Sequence, residues 1–370
     1  MVTQMVKLDT MLARMGAARR AIATTWSLHV GPVVTAFFYV QLRIAVWWGQ
    51  VMDSVFFPAV AKQEIKAPIV IVGNPRTGTT FLQRFLHDNG IGTGQQLWRM
   101  LYPSLTLQFF IGPLLPLLEK ISPARHHSTA AHETSLTGVE TDDVSVFFRY
   151  FDGFFLYGFL LAWADEDHEP SFDPQTRDTS ERDFAWLEDL WKRNLVATGG
   201  DRVVAKLFSL APRLPAFHER FPDARILFMA RDPLSVIPSG MSLVTGVLDK
   251  RFGFWDLPDD VRRRWTERLY AALVKLFIRF TDDYNSGAID RDKVFVVRFD
   301  RLMSDFEGLM AEILEFVGHE PSVELHNVIV QRAEKQRAYK SKHGYDLERF
   351  FLDEDRIRRD CAPFYETFLS

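Results

Sequence analysis

Ile69-Val70-Ile71-Val72 runs directly into Gly73-Asn74-Pro75-Arg76-Thr77-Gly78-Thr79-Thr80. Four consecutive β-branched residues that end at a glycine turn read as a buried strand. Residues 80–88 then place Phe81, Leu82, Phe85 and Leu86 at helical spacing and stop at Asn89-Gly90. Strand, glycine turn and helix start together form the frame of a phosphate-binding loop, G-x-x-x-x-G-K-[ST], with one change. Thr79 stands where that frame has its lysine. Backbone N–H groups at a helix N-terminus bind anions without further help, whereas the lysine reaches the β- and γ-phosphates of a nucleoside triphosphate. The loop is therefore expected to hold a phosphate-like group, but not that of ATP or GTP in the usual way.

Working outward, further strands alternate with helices. Residues 202–205, 224–230 and 294–299 read as strands, and 212–220, 234–243 and 302–317 as helices, the last capped by Gly318. Such alternation predicts an α/β fold: three layers, with a central parallel sheet of P-loop NTPase-like topology. Ligands bind such sheets at the carboxyl ends of the strands, which brings the loops at 73–80 and 230–239 toward each other. Residues 1–64 read as a helical N-terminal segment packed on the core, and 65–370 as one α/β domain with a helical insertion at about 95–200.

Composition limits the partners. The 370 residues are 47% hydrophobic and 25% charged, with a net charge of −4. This is a globular composition, with no basic field to attract nucleic acid. The single cysteine, Cys361, has no intrachain partner, which fits a reducing compartment; the expected location is cytoplasmic. Phe is abundant, at 32 residues. The apolar run 146–163 contains Arg149 and Asp152, which are costly inside a bilayer, so it reads as a buried helix. Residues 105–118 carry Gly112, Pro113 and Pro116 and make a poor span. The aromatic-rich residues 28–52 are broken by His29, Gly31-Pro32, Gln41 and Arg43, and read as core helix. Peripheral membrane contact or a lipid-like substrate is the minority alternative.

A second constellation, Arg231-Asp232-Pro233 with Ser239, follows the strand at 224–230. Arg231 offers a charged fork and Ser239 a hydroxyl to one phosphate. Alone the tripeptide is weak, since Arg-Asp pairs at strand ends usually make local salt bridges. Combined with the altered loop it becomes specific.

At these residues the chain resembles the sulfotransferases that use 3′-phosphoadenosine-5′-phosphosulfate. Residues 73–80 are similar to their 5′-phosphosulfate loop, and 231–239 to their 3′-phosphate motif. Val203-Val204-Ala205-Lys206 is similar to the family strand that ends in lysine, Phe299 to Met303 to a later segment, and His343-Gly344-Tyr345 through Tyr365 to the carboxyl terminus of bacterial members. The resemblance covers roughly residues 67–370. It implies that Arg76 supplies the cation missing at Thr79. Main-chain N–H groups from Thr77 through Gly78 and Thr79 to Thr80, with the Thr79 and Thr80 hydroxyls, would hold the 5′-phosphate oxygens. Lys206 would stabilise the bridging oxygen of the leaving group. The reaction so implied is in-line sulfuryl transfer to a hydroxyl or amine, dominated by positioning and charge stabilisation, and it requires no metal.

The base departs from the family pattern. Small-molecule members read Lys-x-His here, but this chain reads Lys206-Leu207-Phe208. Replacements come from residues 126–143, in the order Glu140, then His132 and Asp142. A carboxylate beside Phe147 and Phe148 would have its pKa raised and could accept a proton near neutral pH. An acidic helix N-terminus, favoured by the macrodipole, explains residues 140–143 equally well. His126-His127 reads as a surface turn. Lys335, Arg337, Lys340, Lys342 and His343 read as a solvated helix end or as a lid near the 3′-phosphate. Trp98, Phe109, Phe110, Phe148 and Phe151 are candidate walls for a hydrophobic acceptor, a small molecule or a lipid. Two other readings stay open: a nucleotide kinase or GTPase, and a non-catalytic membrane-associated binding protein.

Overall fold

The computed structural model describes residues 8–121, 135–338 and 347–370. The chain divides into two compact units. The first comprises Met1–Ile65, Gln95–Gly200 and Ser242–Ala272. The second comprises Lys66–Gly94, Asp201–Met241 and Leu273–Ser370.

The first unit is helical. It opens with α1 (Met11–Trp26), α2 (Val30–Phe56) and α3 (Ala59–Lys62). Its longest other helix within the unit, Ser180–Thr198, buries Phe184, Trp186, Leu187, Leu190 and Trp191. The run at 146–163, expected as one helix, is three pieces: Asp143–Tyr150, Phe154–Phe159 and a short 3-10 turn at Leu161–Trp163. A tertiary ion cluster causes the break. The Arg14 guanidinium donates to the carbonyls of Tyr150 at 2.9 Å and Phe151 at 2.8 Å, taking the carbonyls of the helix end. Asp152 is fully buried and pairs with Arg177 at 2.8 Å and Arg182 at 3.0 Å. Burial by itself would raise the Asp152 pKa, but the Arg177 hydrogen bond and the charges of Arg14, Arg177 and Arg182 hold it below its usual value.

The expectation that residues 28–52 form a core helix is wrong. Only 6% of the most apolar window of α2 is buried. Its buried positions are Val46, Gly49 and Asp53, while His29 and Gln41 stay exposed and Arg43 is half-buried. Phe109 at 73% and Phe110 at 64% exposure are likewise too open to wall an enclosed pocket.

The second unit is the α/β part. Four parallel strands, β1 (Ile69–Val72), β2 (Val204–Lys206), β3 (Arg225–Ala230) and β4 (Val294–Arg298), stand in the order β2-β1-β3-β4. This confirms the α/β fold with a central parallel sheet. Ile71 pairs with Lys206 and with Leu227, so the loop strand lies in the middle of the sheet. One face carries Ile69, Ile71, Leu227, Met229 and Val297 against α4 (Thr79–Asp88) and the helices that follow β4. Phe228 points to the other face and packs on Phe280, Phe364 and Phe368. Both faces are thus covered, and near-continuous apolar strands suit such a sheet. The helix expected at 302–317 is two, Phe299–Ser304 and Phe306–Val317. Asp305 ends the first and caps the second, its side chain accepting from the Gly308 N–H. Cys361 is fully buried, and burial pushes its thiol up to about 12, so it is unreactive at neutral pH.

Candidate functional site

The loop after β1 sets the geometry. Gly73 has φ 146°, and a Cβ there would lie 2.9 Å from both the Met229 Cβ and its carbonyl oxygen on β3. Gly78 has φ 97° and lies against Phe299 and Leu302. Only glycine meets both demands, backbone at positive φ and close approach of a neighbouring element. Arg76 also sits at positive φ, 77°, and is not glycine. Such an outlier persists only where surrounding structure holds it, and it often marks a functional residue.

Within the loop, Thr77 is spent on structure. It is fully buried, and its hydroxyl and N–H both donate to the Asn74 carbonyl, at 2.8 and 3.3 Å. Asn74 in turn donates to the Leu273 carbonyl at 2.9 Å. These bonds clamp the turn. α4 then begins at Thr79, and no side chain caps it at Gly78. Its first helical bond runs from Leu82 N–H to the Gly78 carbonyl. The N–H groups of Thr79, Thr80 and Phe81 belong to the first turn, which has no intrahelical acceptor for them. Such an end suits an anion, with the positive pole of the helix dipole behind it.

Three side chains from distant sequence converge on this turn. Arg76 Nε donates to Ser239 Oγ at 3.0 Å. Arg231 Nη1 donates to the Arg76 carbonyl at 2.7 Å, and its guanidinium lies 3.9 Å from the centre of the Phe299 ring. Lys206, buried at the end of β2, donates from Nζ to Thr80 Oγ1 at 2.8 Å. Arg76, Thr80, Lys206, Arg231 and Ser239 therefore form one hydrogen-bonded group. Three cations around a helix N-terminus make a strongly anion-attracting site. Asp232, beside Arg231, accepts from the Tyr365 hydroxyl and from Leu234 N–H. Burial, and then Asp232 itself, raise the Tyr365 pKa, so the phenol keeps its proton. The motif is thereby anchored from the carboxyl terminus.

Sequence reasoning missed two contributors, Asn74 and the placement of Phe299 under Arg231. Asn74 carried no signal beyond its place in the loop. Phe299 belongs to a segment noted only for its family likeness.

Of the base candidates, Glu140 is buried at 5% exposure in the first unit, and its N–H bonds the Gln95 carbonyl. Asp142 accepts from the Trp191 indole at 2.9 Å, and Asp143 from the Thr141 hydroxyl at 2.7 Å. Both fit the structural reading of this acidic helix start. His132, His126-His127, Lys340, Lys342 and His343 lie outside the described residues. Trp98 is buried against Leu97 and Leu136, while Phe148 and Phe151 are half-buried. Among the described residues no group of His, Cys, Asp or Glu side chains is arranged to hold a metal ion.

Comparisons with known proteins bear on the fold and the family. Among solved structures, the chain is similar to sulfotransferase STF1 from Mycobacterium tuberculosis H37Rv, at TM-score 0.70 and 18% identity, over 95% of this chain and 91% of that one. It is also similar to sulfotransferase STF9 from Mycobacterium avium, at TM-score 0.65 and 18% identity, over 86% and 81%. At that identity the likeness concerns the fold. A search of curated proteins found no match. The model of the Sulfotransferase family matches residues 68–322, a span that runs from the edge of β1 past β4 and contains the whole loop, Lys206, Arg231 and Ser239. The chain belongs to the sulfotransferase family.

Proposed function

We propose that this chain moves a sulfuryl group from 3′-phosphoadenosine-5′-phosphosulfate to a hydroxyl or amine of a hydrophobic small-molecule or lipid acceptor. The observation that supports this most is the hydrogen-bonded group at the loop. Arg76 and Ser239, far apart in sequence, meet directly, and Arg231 braces the loop through the Arg76 carbonyl. A donor with separate 5′ and 3′ anionic groups needs two cationic anchors at one mouth. The N-terminus of α4 with Arg76 suits the 5′ group, and Arg231 with Ser239 the 3′-phosphate. In the transfer, the acceptor oxygen or nitrogen forms a bond to sulfur as the sulfur–oxygen bond to the 5′-phosphate breaks. Lys206, buried beside Thr80, would neutralise charge that develops on the departing oxygen.

The acceptor proton has to leave, and we assign it to the Glu140 carboxylate, with His132 as the runner-up. Glu140→Gln should lower turnover by about 10²–10⁴-fold while leaving donor affinity unchanged. Undiminished turnover in that variant removes Glu140 from the reaction.

Calorimetry on the wild-type chain tests the donor. Tight binding of 3′-phosphoadenosine-5′-phosphate without added metal is the expected result, with Mg-ATP far weaker. A preference for Mg-ATP would overturn the assignment in favour of kinase chemistry. A screen of hydrophobic alcohols and amines with sulfur-labelled donor then identifies the acceptor class.

A further inference from the structure

We propose that the outward face of α2, continued by helices Leu105–Ile111 and Leu115–Ile121, docks on a lipid bilayer and lies in its interface plane. The observation is that α2 exposes its large apolar side chains and spends polar ones on its own unit. Val46, Gly49 and Asp53 are buried, and the polar contacts inward come from Tyr39, Gln50 and Asp53. The Tyr39 hydroxyl donates to the Phe148 carbonyl at 3.0 Å, and Gln50 accepts from Arg149 at 3.3 Å. Asp53 is buried, paired with Arg193, and accepts from the N–H groups of Leu105 at 2.9 Å and Thr106 at 2.7 Å. Large apolar residues stand outward along the whole helix, from Val30 and Phe37 through Trp47 and Trp48 to Val55 and Phe56, all more than half exposed, with only the uncharged polar residues Thr35, Gln41 and Ser54 exposed among them. A helix on a water-facing surface shows the reverse arrangement.

The face is long and uncharged. The 27 residues of α2 span about 40 Å. Its two charged residues, Arg43 and Asp53, are half-buried and buried. The helix anchored by Asp53 adds the exposed rings of Phe109 and Phe110, and the next helix adds Leu117 and Ile121. Exposed tryptophans beside aliphatic residues suit the headgroup boundary of a bilayer.

Topology argues for lying on the membrane rather than crossing it. Both neighbours of α2 return to the same unit: α1 packs on Leu161–Trp163, and α3 on Ser180–Thr198. A span would also carry Asp53 and its ion pair into hydrocarbon.

Charge selects lipid over a second copy of the chain. Within α1, α2, α3 and the helices of residues 105–121, the exposed charged side chains are Arg19, Arg20, Lys62 and Lys120, while the acids Asp9 and Glu64 are exposed just outside them. This basic excess on the helices that carry the apolar face complements anionic headgroups, whereas two copies would bring like charges together.

Flotation of the full chain with vesicles tests this. Binding is expected to phosphatidylcholine vesicles containing phosphatidylglycerol, and more weakly to phosphatidylcholine alone. The double variant Trp47→Ser with Trp48→Ser should partition about a hundredfold less or worse, from the transfer value of two large apolar side chains. Its melting temperature should not change, because both residues are exposed. A second double variant, Phe109→Ser with Phe110→Ser, should also weaken binding. Failure of the wild-type chain to float, or equal flotation of the variants, overturns the proposal. A wild-type dimer that dissociates in the tryptophan variant would instead assign the face to a second copy. Neither result bears on donor binding, which calorimetry reads separately.

Discussion

Arg76→Ala is expected to lower sulfuryl transfer by about 10²–10³-fold, equivalent to roughly 2.7–4 kcal/mol of barrier, the usual cost of one preorganised donor at a reacting anion. The fold should survive. Arg76 is half-buried, and its side chain donates to Ser239 at 3.0 Å; a hydrogen bond of this kind is worth about 0.5–1.5 kcal/mol net. Its backbone strain at φ 77° is shared by any residue with a Cβ, so alanine neither relieves nor adds to it. Steady-state rates with saturating donor, beside a thermal melt, check both halves. Wild-type turnover in a folded Arg76→Ala protein would take the loop cation out of the mechanism. A collapsed melt would mean that the residue serves the loop rather than the reaction.

The second large effect is on donor affinity. Arg231→Ala removes a charged hydrogen-bond donor, a loss of about 1.5–3 kcal/mol or roughly 10–150-fold in the dissociation constant for 3′-phosphoadenosine-5′-phosphate. The true loss should sit at the upper end, because Arg231 also braces the Arg76 carbonyl at 2.7 Å and so shapes the 5′ side of the site. Arg231→Lys keeps the charge but loses the planar fork and its stacking on Phe299. It should recover only part of the affinity. Calorimetry on the three proteins decides the matter. If all three bind equally, the 3′-phosphate is held elsewhere and the second motif is a strand-end salt bridge after all.

The parts of this site that could be read in the sequence are those whose geometry is local. A run of β-branched residues, a glycine turn and an amphipathic helix start specify β1, the loop and α4 from neighbouring residues alone. Arg231 was likewise recognisable from its place at the end of β3. Two of the errors, at residues 146–163 and at α2, originate in long-range ionic contacts. Residues 146–163 keep a helical apolar pattern, yet Arg14, more than a hundred residues away, draws off the carbonyls of Tyr150 and Phe151 and ends the helix there. The split at Asp305 could have been read, since an Asp three residues before Gly308 is a capping signal.

What the sequence by itself determined was the sheet-and-loop frame and which residues carry charge near it, because period, glycine and strand-end position are local properties. Only the tertiary structure decided which charges meet. The parallel sheet sets β1 between β2 and β3, and this brings Lys206 to Thr80 and Arg231 to the Arg76 carbonyl across 126 and 155 residues. It also decided the orientation of α2. Hydropathy reports how apolar a helix is, but which side faces its own protein depends on partners such as Arg193 and Ser104 for Asp53. A buried carboxylate must be paired, and that pairing turns the apolar side of α2 outward.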